Sequence, residues 1–365
     1  MKQNLILIMA VFLIVSCNSK NPKTKVVTGS DLPKYDHIVI IVEENKDYDE
    51  VRNEKLAPYI NRVLRAEGAN FTQMYGEEHH SQGNYFWLFS GFNQNVGFED
   101  VVPDSTNNPN YPFSAPNMAS ELIAKGYTFC GYAESLPYIG CDTTVTYTKI
   151  KKKGVVIDSI GLYGRKHVPW ISFSNVPDSL NKRFADFPKD TADFKNLPTV
   201  SFVIPNLDHD MHNGPDSISV PLGDDWLYAN IDPYYQWAKK NNSLLIITFD
   251  ENDDHRHIKN LTNPNPKDTI PDTLLPQTVL DTIKDKTIYN KDYENRVVTI
   301  FAGAHIKKGD YAEGKGMTHV NILRTIEAIY GLSKAGKQQI NATNYKISDT
   351  CITDVFTDVR RSNEN

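Results

Sequence analysis

Asp36-His37-Ile38-Val39-Ile40-Ile41-Val42-Glu43-Glu44-Asn45 is an unbroken apolar run that stops at two carboxylates and an amide. Continuous β-branched residues with no polar alternation predict a strand buried on both faces, as in a parallel sheet covered by helices. Outward from it, a helix is expected over 56–67, closed by Gly68, then a strand over 69–75 and a helix over 82–90. An amphipathic helix over 117–125 stops at Gly126, ahead of a strand at 127–132. Later strands are expected at 199–204, 243–249 and 297–301, with helices over 226–240 and 319–330. Strand and helix alternate, which predicts an α/β fold with a mostly parallel sheet and helices on both faces. Ligands of such folds bind beyond the carboxyl ends of the strands. Three polar clusters fall there: Glu44-Asn45, Asp250-Glu251, and the stretch from Asn206 to His212. The segments 140–166 and 254–292 lack periodicity and read as insertions or lids over that rim.

With 365 residues, the chain suffices for one large α/β domain or two small ones, and 40% hydrophobic with 23% charged residues is ordinary globular composition. A formal net charge of -6 gives no general attraction for nucleic acid, and Lys151-Lys152-Lys153 reads as a solvated turn. The N-terminus has Lys2, an apolar core over 5–15, and Ser16 before Cys17. It resembles a bacterial lipoprotein signal, the alternative being an ordinary secretory signal. Cys17 would then be the acylated first residue of an exported protein anchored to a bacterial membrane, periplasmic or cell-surface, with 18–34 a flexible tether. Export makes a disulfide expected. Cys130 with Cys141 is the simplest local pair, Cys351 is left over, and sequence does not fix the connectivity.

Glu77-Glu78-His79-His80-Ser81-Gln82-Gly83-Asn84-Tyr85 places a hydroxyl where a strand turns into an apolar helix. Unpaired N–H groups and the helix dipole favour an anion there. Ser81 reads either as an N-cap or as a nucleophile whose product is a bound phosphate ester. Two carboxylates at the end of a buried strand, Asp250-Glu251, repel and need a cation or other partner to stay ionised. Glu44-Asn45 adds further hard oxygen ligands; helix caps or turns are the alternative for either pair alone.

Six motifs in order resemble the bacterial phosphoesterase family that holds acid phosphatases and phosphatidylcholine-type phospholipases C, within the alkaline-phosphatase-like superfamily. They are Glu44-Asn45-Lys46-Asp47-Tyr48-Asp49, the segment from His80 to Gly91, Pro205-Asn206 through His212, Gly223-Asp224-Asp225-Trp226-Leu227, Thr248-Phe249-Asp250-Glu251, and Thr318-His319 with Leu323-Arg324-Thr325-Ile326-Glu327. The resemblance covers nearly all of the chain after residue 35 and implies one domain over 35–360, a three-layer α/β/α sandwich with lid insertions. Gly83 departs from it, standing where proline is usual.

The resemblance implies that Ser81 is the nucleophile and that Glu44, Asn45, Asp250 and Glu251 hold a divalent metal beside it. On physical grounds, the helix N-terminus and the Asn84 side chain can contact the phosphoryl oxygens. Asp210, His212 and His319 form a second cluster, which holds a second ion or else binds phosphate or protonates the leaving alcohol; whether Asp208 or Asp210 serves there is open. Oxygen ligands suit Mg, Ca or Mn, and the histidines admit Zn. Lys166-His167-Val168-Pro169 resembles a family element whose side chains bind substrate phosphate, a surface turn being the alternative. His255 and His257 read as a solvated loop. The expected activity is a metal-dependent phosphomonoesterase working through phosphoserine on a phosphorylated small molecule or phospholipid. A phospholipase C-type phosphodiesterase and a non-catalytic binding lipoprotein are the competing readings.

Overall fold

The computed structural model describes residues 28–79, 81–96, 101–143, 148–152, 155–159, 161–253, 295–311, 316–344 and 347–357. The leader with Cys17, most of the tether, His80, His255, His257 and the segment 254–294 lie outside the described residues.

The strands in chain order are β1 (His37–Glu43), β2 (Ala69–Tyr75), β3 (Phe129–Ala133), β4 (Thr148–Lys152), β5 (Val155–Ser159), β6 (Asn181–Arg183), β7 (Val200–Ile204), β8 (Ser243–Phe249), β9 (Arg296–Gly303), β10 (Gly309–Tyr311) and β11 (Met317–Thr318). Nine form one sheet in the order β10-β2-β9-β8-β1-β7-β3-β6, with β11 paired to β2, while β4 and β5 make a separate hairpin. The apolar run that opened the sequence is its centre: β1 pairs in parallel with β7 on one side and β8 on the other. Residues 38–43 and all of β7 and β8 are buried, as continuous apolar strands require. Glu43 pairs with Phe249, so the chain leaves β1 and β8 at the same level, and Glu44 meets Asp250.

β9 is the exception. It runs antiparallel to both β2 and β8. Its first residues therefore stand at the rim where the parallel strands end, which brings Asn295 to the site.

Five helices matter for the site: α1 (Ser81–Ser90), α2 (Met118–Ala124), α3 (Asp216–Asn230), α4 (Asp232–Ala238) and α5 (His319–Tyr330). Every residue of α1 is buried. Phe89 on α1 packs against Phe129, Trp170, Phe173 and Phe202, which ties the helix to β3 and β7. Asn117 caps α2, accepting from the Ser120 N–H as its own N–H donates to Ser120 Oγ. α5 ends at Gly331 in the left-handed conformation that glycine adopts without a Cβ penalty.

The expected helix over 226–240 is two helices, because the chain breaks at Ile231 and restarts with Pro233 in the first turn of α4. The stretch 56–67 contains a π-helical turn over Ile60–Leu64. The folded domain starts before residue 35: Asp31 and Leu32 are buried, and a Cβ on Gly29 would meet Ala328 of α5 at 2.8 Å.

The Cys130–Cys141 disulfide is corrected: both thiols are free. Cys130 Sγ donates to Leu180 O, and Cys141 Sγ meets Thr143 Oγ1. Burial pushes the Cys130 thiol up to about 11, so it stays protonated and unreactive at neutral pH.

Candidate active site

The rim of the sheet collects five strand ends. From β1 come Glu44 and Asn45, from β8 Asp250 and Glu251, from β7 the loop 205–212, from β2 the loop leading to Ser81, and from β9 Asn295. Backbone bonds lock the ends together: Glu44 N–H donates to Asp210 O, Asp250 N–H to Glu43 O, and Gly76 N–H to Asn295 O.

Ser81 opens α1 and is 1% exposed; its Oγ donates to Glu251 Oε1 at 3.2 Å. Two residues far apart in sequence thus meet as hydroxyl donor and carboxylate acceptor. The other Glu251 oxygen lies 2.8 Å from His79 Nδ1, so both oxygens are engaged. Asp250 is drawn in beside them, its Oδ1 accepting from the backbone N–H of Asn45 and Glu251. Asn45 adopts a positive φ of 40°, strained for a non-glycine residue, which turns its N–H onto Asp250.

Glu44, Asp210 and Asp250 are fully buried together. Desolvation and the neighbouring Glu44 charge push both Asp210 and Asp250 well above the usual carboxylate range, and Asp250 shares a hydrogen bond with Glu44. Glu44 itself is held low despite burial, because His167 and Lys166 stand beside it. His167 Nε2 is 2.6 Å from Glu44 Oε1, and its Nδ1 is 3.6 Å from Asp210 Oδ2. Gly164 makes room for this ring, since a Cβ there would stand 2.6 Å from His167 Nδ1. Tyr85 from α1 stacks on His167 at 4.8 Å with planes 9° apart. His212, a third exposed, faces Glu44 Oε2 at 3.8 Å.

Several sequence-based roles change. Lys166 and His167 are not a surface turn; His167 is buried at the carboxylates and Lys166 is half-buried beside them. Asn84 does not face the open rim: its Oδ1 accepts from the Glu77 and Glu78 N–H groups and its Nδ2 donates to Glu78 O, so it shapes the loop before Ser81. His319 has both ring nitrogens occupied, Nδ1 at 2.8 Å from Glu77 Oε2 and Nε2 at 2.8 Å from Phe249 O. Buried among these partners, it offers no ring nitrogen for proton transfer.

Other motif residues are structural. Asp224 accepts from the N–H of Tyr59 and Ile60, Trp226 Nε1 donates to Glu134, and the absent side chain of Gly223 admits Met211 and the His209 carbonyl.

His79, Glu77, Tyr85 and Asn295 reach the site without having been assigned a role. The first three stand in the same short stretch as Ser81, which was the available signal. Asn295 precedes a strand whose reversal no local pattern announces. Its Oδ1 accepts from Asn252 N–H and its Nδ2 donates to Glu78 O.

The donor set fits a hard divalent cation. Asn45 Oδ1 and Asp250 Oδ2 are buried and receive no hydrogen bond among the described residues. As they stand, no three His, Cys, Asp or Glu side chains among the described residues converge to hold an ion. Burial and the Glu44 charge raise the cost of ionising Asp250, a cost that a cation held between these carboxylates would offset.

The Phosphoesterase family profile matches residues 53–333 of this chain. The chain belongs to the phosphoesterase family. It is 36% identical over 332 residues to a phosphatidylinositol-3-phosphatase of Mycobacterium tuberculosis, covering 91% of this chain and 86% of the relative. It is 27% identical over 214 residues to an acid phosphatase of Aspergillus fumigatus, covering 57% of this chain and 43% of that protein. Among solved structures, an alkaline-phosphatase-superfamily protein from Vibrio parahaemolyticus superposes with a TM-score of 0.52 at 10% identity, over 86% of this chain and 71% of that one. That likeness shows the fold, an alkaline-phosphatase-like α/β architecture. The phosphoesterase reached here is a hydrolase of phosphoric esters, and its substrate carries a phosphate.

Proposed function

We propose that this protein is a metal-assisted phosphomonoesterase acting through a phosphoserine at Ser81. The carrying observation is the 3.2 Å hydrogen bond from Ser81 Oγ to Glu251 beside the buried Glu44, Asp210 and Asp250. Ser81 Oγ forms the bond to phosphorus as the bond from phosphorus to the ester oxygen breaks, and the hydroxyl proton passes to Glu251. The first turn of α1 presents N–H groups to the phosphoryl oxygens, and half-buried Lys166 adds positive charge. His212, partly exposed at the rim, is positioned to return a proton to the leaving alcohol. Water then cleaves the phosphoserine and restores the hydroxyl.

Glu44, Asn45, Asp250 and Glu251 would hold the cation, with Asp210 beside them. When bound, such an ion neutralises charge at the reacting phosphorus and lowers the serine pKa.

The Mycobacterium tuberculosis relative is named for removing a phosphate monoester from a phosphoinositide, which supports monoester over diester cleavage and a phospholipid substrate. The leader and Cys17 support an exported, lipid-anchored protein whose site works close to a membrane.

The deciding experiment compares p-nitrophenyl phosphate with bis-p-nitrophenyl phosphate, for the wild type and Ser81→Ala, before and after chelation. Monoester turnover abolished by both Ser81→Ala and chelation is expected. Turnover surviving Ser81→Ala would refute the mechanism, and preference for the diester would favour the phospholipase C reading.

A further inference from the structure

We propose that Glu77 and His319 are positioning residues that fasten the Ser81 loop to the end of the strand bearing Asp250 and Glu251. This deepens the phosphatase reading and rests on it for the identity of the nucleophile. The loop from β2 to α1 has no ladder of its own, yet the nucleophile it carries must face a carboxylate from β8.

Three hydrogen bonds span the gap. Glu77 Oε1 accepts from Val320 N–H at 2.9 Å, in the first turn of α5. Glu77 Oε2 meets His319 Nδ1 at 2.8 Å. His319 Nε2 meets Phe249 O at 2.8 Å, and Phe249 directly precedes Asp250. At its other end, the Glu77 N–H donates to Asn84 Oδ1 inside α1.

Asn84, Glu77, His319 and Phe249 therefore form a continuous bridge from the nucleophile helix to the carboxylate strand. All four are at most 2% exposed, so water does not compete for these bonds. Phe249 O and the Glu77 carboxylate are both acceptors, so the imidazole joins them by donating from both ring nitrogens, one N–H to each. A glutamate and a histidine suit this span because the carboxylate takes both a helix N–H and a ring N–H. The function of the bridge is distance: a loop displaced by about 1 Å costs on the order of 100-fold in rate.

The test uses the full-length protein. In Glu77→Ala, kcat for p-nitrophenyl phosphate is expected to fall about 100-fold with KM changed less than about threefold, because the phosphate-binding groups stay while the nucleophile drifts. Hydrogen exchange over 76–79 should quicken at least about tenfold, while 129–133 in β3 stays as in the wild type. Glu77→Gln should remain within about threefold of wild type, since the amide carbonyl still accepts from Val320 N–H and its NH2 donates to His319 Nδ1, which then carries no proton. If Glu77→Ala does not fold, His319→Ala carries the same two expectations.

Wild-type turnover with unaltered exchange in both alanine variants would overturn the proposal. So would a Glu77→Gln protein as impaired as Glu77→Ala. Exchange is read without turnover, so a wild type inactive on phosphate esters would sink the phosphatase reading and leave the bridge to be judged by exchange alone.

Discussion

Two buried charge clusters lie on this fold, and they are built on opposite terms. Around Arg324 on α5 the donors and acceptors are matched. Nε meets Asp349 at 2.6 Å, Nη1 meets Glu327 at 2.8 Å and Ala335 O at 3.0 Å, and Nη2 donates to Gly336 O. Glu327 further accepts from the Ala335 N–H. At the sheet rim, Glu44, Asp210 and Asp250 share too few donors, and two of the three are driven toward their neutral forms. A matched cluster holds a fold together, whereas an unmatched one at strand ends, sustained against stability, marks the candidate site. Both derive from family motifs, so only their surroundings separate scaffold from site.

The contrast can be broken most forcefully at the rim. Asp250→Asn should lower kcat/KM by about 1,000-fold while leaving the metal-free melting temperature unchanged or raised, because it removes a buried acid yet keeps an oxygen for the Asn45 and Glu251 N–H groups. A fall in melting temperature of the metal-free protein would show the rim to be structural. At the other cluster, Arg324→Met should cost about 3–5 kcal/mol in denaturant unfolding, since Glu327 and Asp349 lose their partner, yet leave kcat per folded molecule intact.

Gly83 sharpens the comparison near Ser81. A side chain there would collide with the Glu78 carboxyl, which is itself bonded to Asn93. Gly83→Ala should cost about 1–3 kcal/mol, and adding Glu78→Ala should recover part of that loss. Additive losses would refute the coupling. Glu78 also carries a pH signature: burial pushes it up to about 8 from 4.5. Between those two values the folded state binds the extra proton, so this group's stabilisation is present at low pH and lost as pH rises toward 8. Glu78→Gln should flatten that decline, by no more than about 1.4 kcal/mol per pH unit, in unfolding measured across the window.

Much of this was legible in the chain. The run at 37–43 announced a central buried strand, and the stops at Glu44 and Asp250 marked where the rim would be. The Ser81 turn was recognisable because its strand, polar loop and apolar helix each follow a local rule. The roles of Asn84 and His319 were not legible, because a motif fixes a residue's identity but not which of two faces its side chain serves. Asn84 turned inward to hold Glu77 and Glu78, and His319 turned beneath the site to join Glu77 to Phe249.

What the sequence by itself determined was therefore local: apolar periodicity, chain breaks at glycine and proline, and which chemical groups stand at strand ends. The meeting of Ser81 with Glu251, the insertion of His167 between Glu44 and Asp210, and the arrival of Asn295 on a reversed strand were decided only by the tertiary fold. Each depends on strand order and direction, which are set by packing among residues more than a hundred positions apart in some cases, as from Ser81 to Glu251, and leave no trace in any single segment.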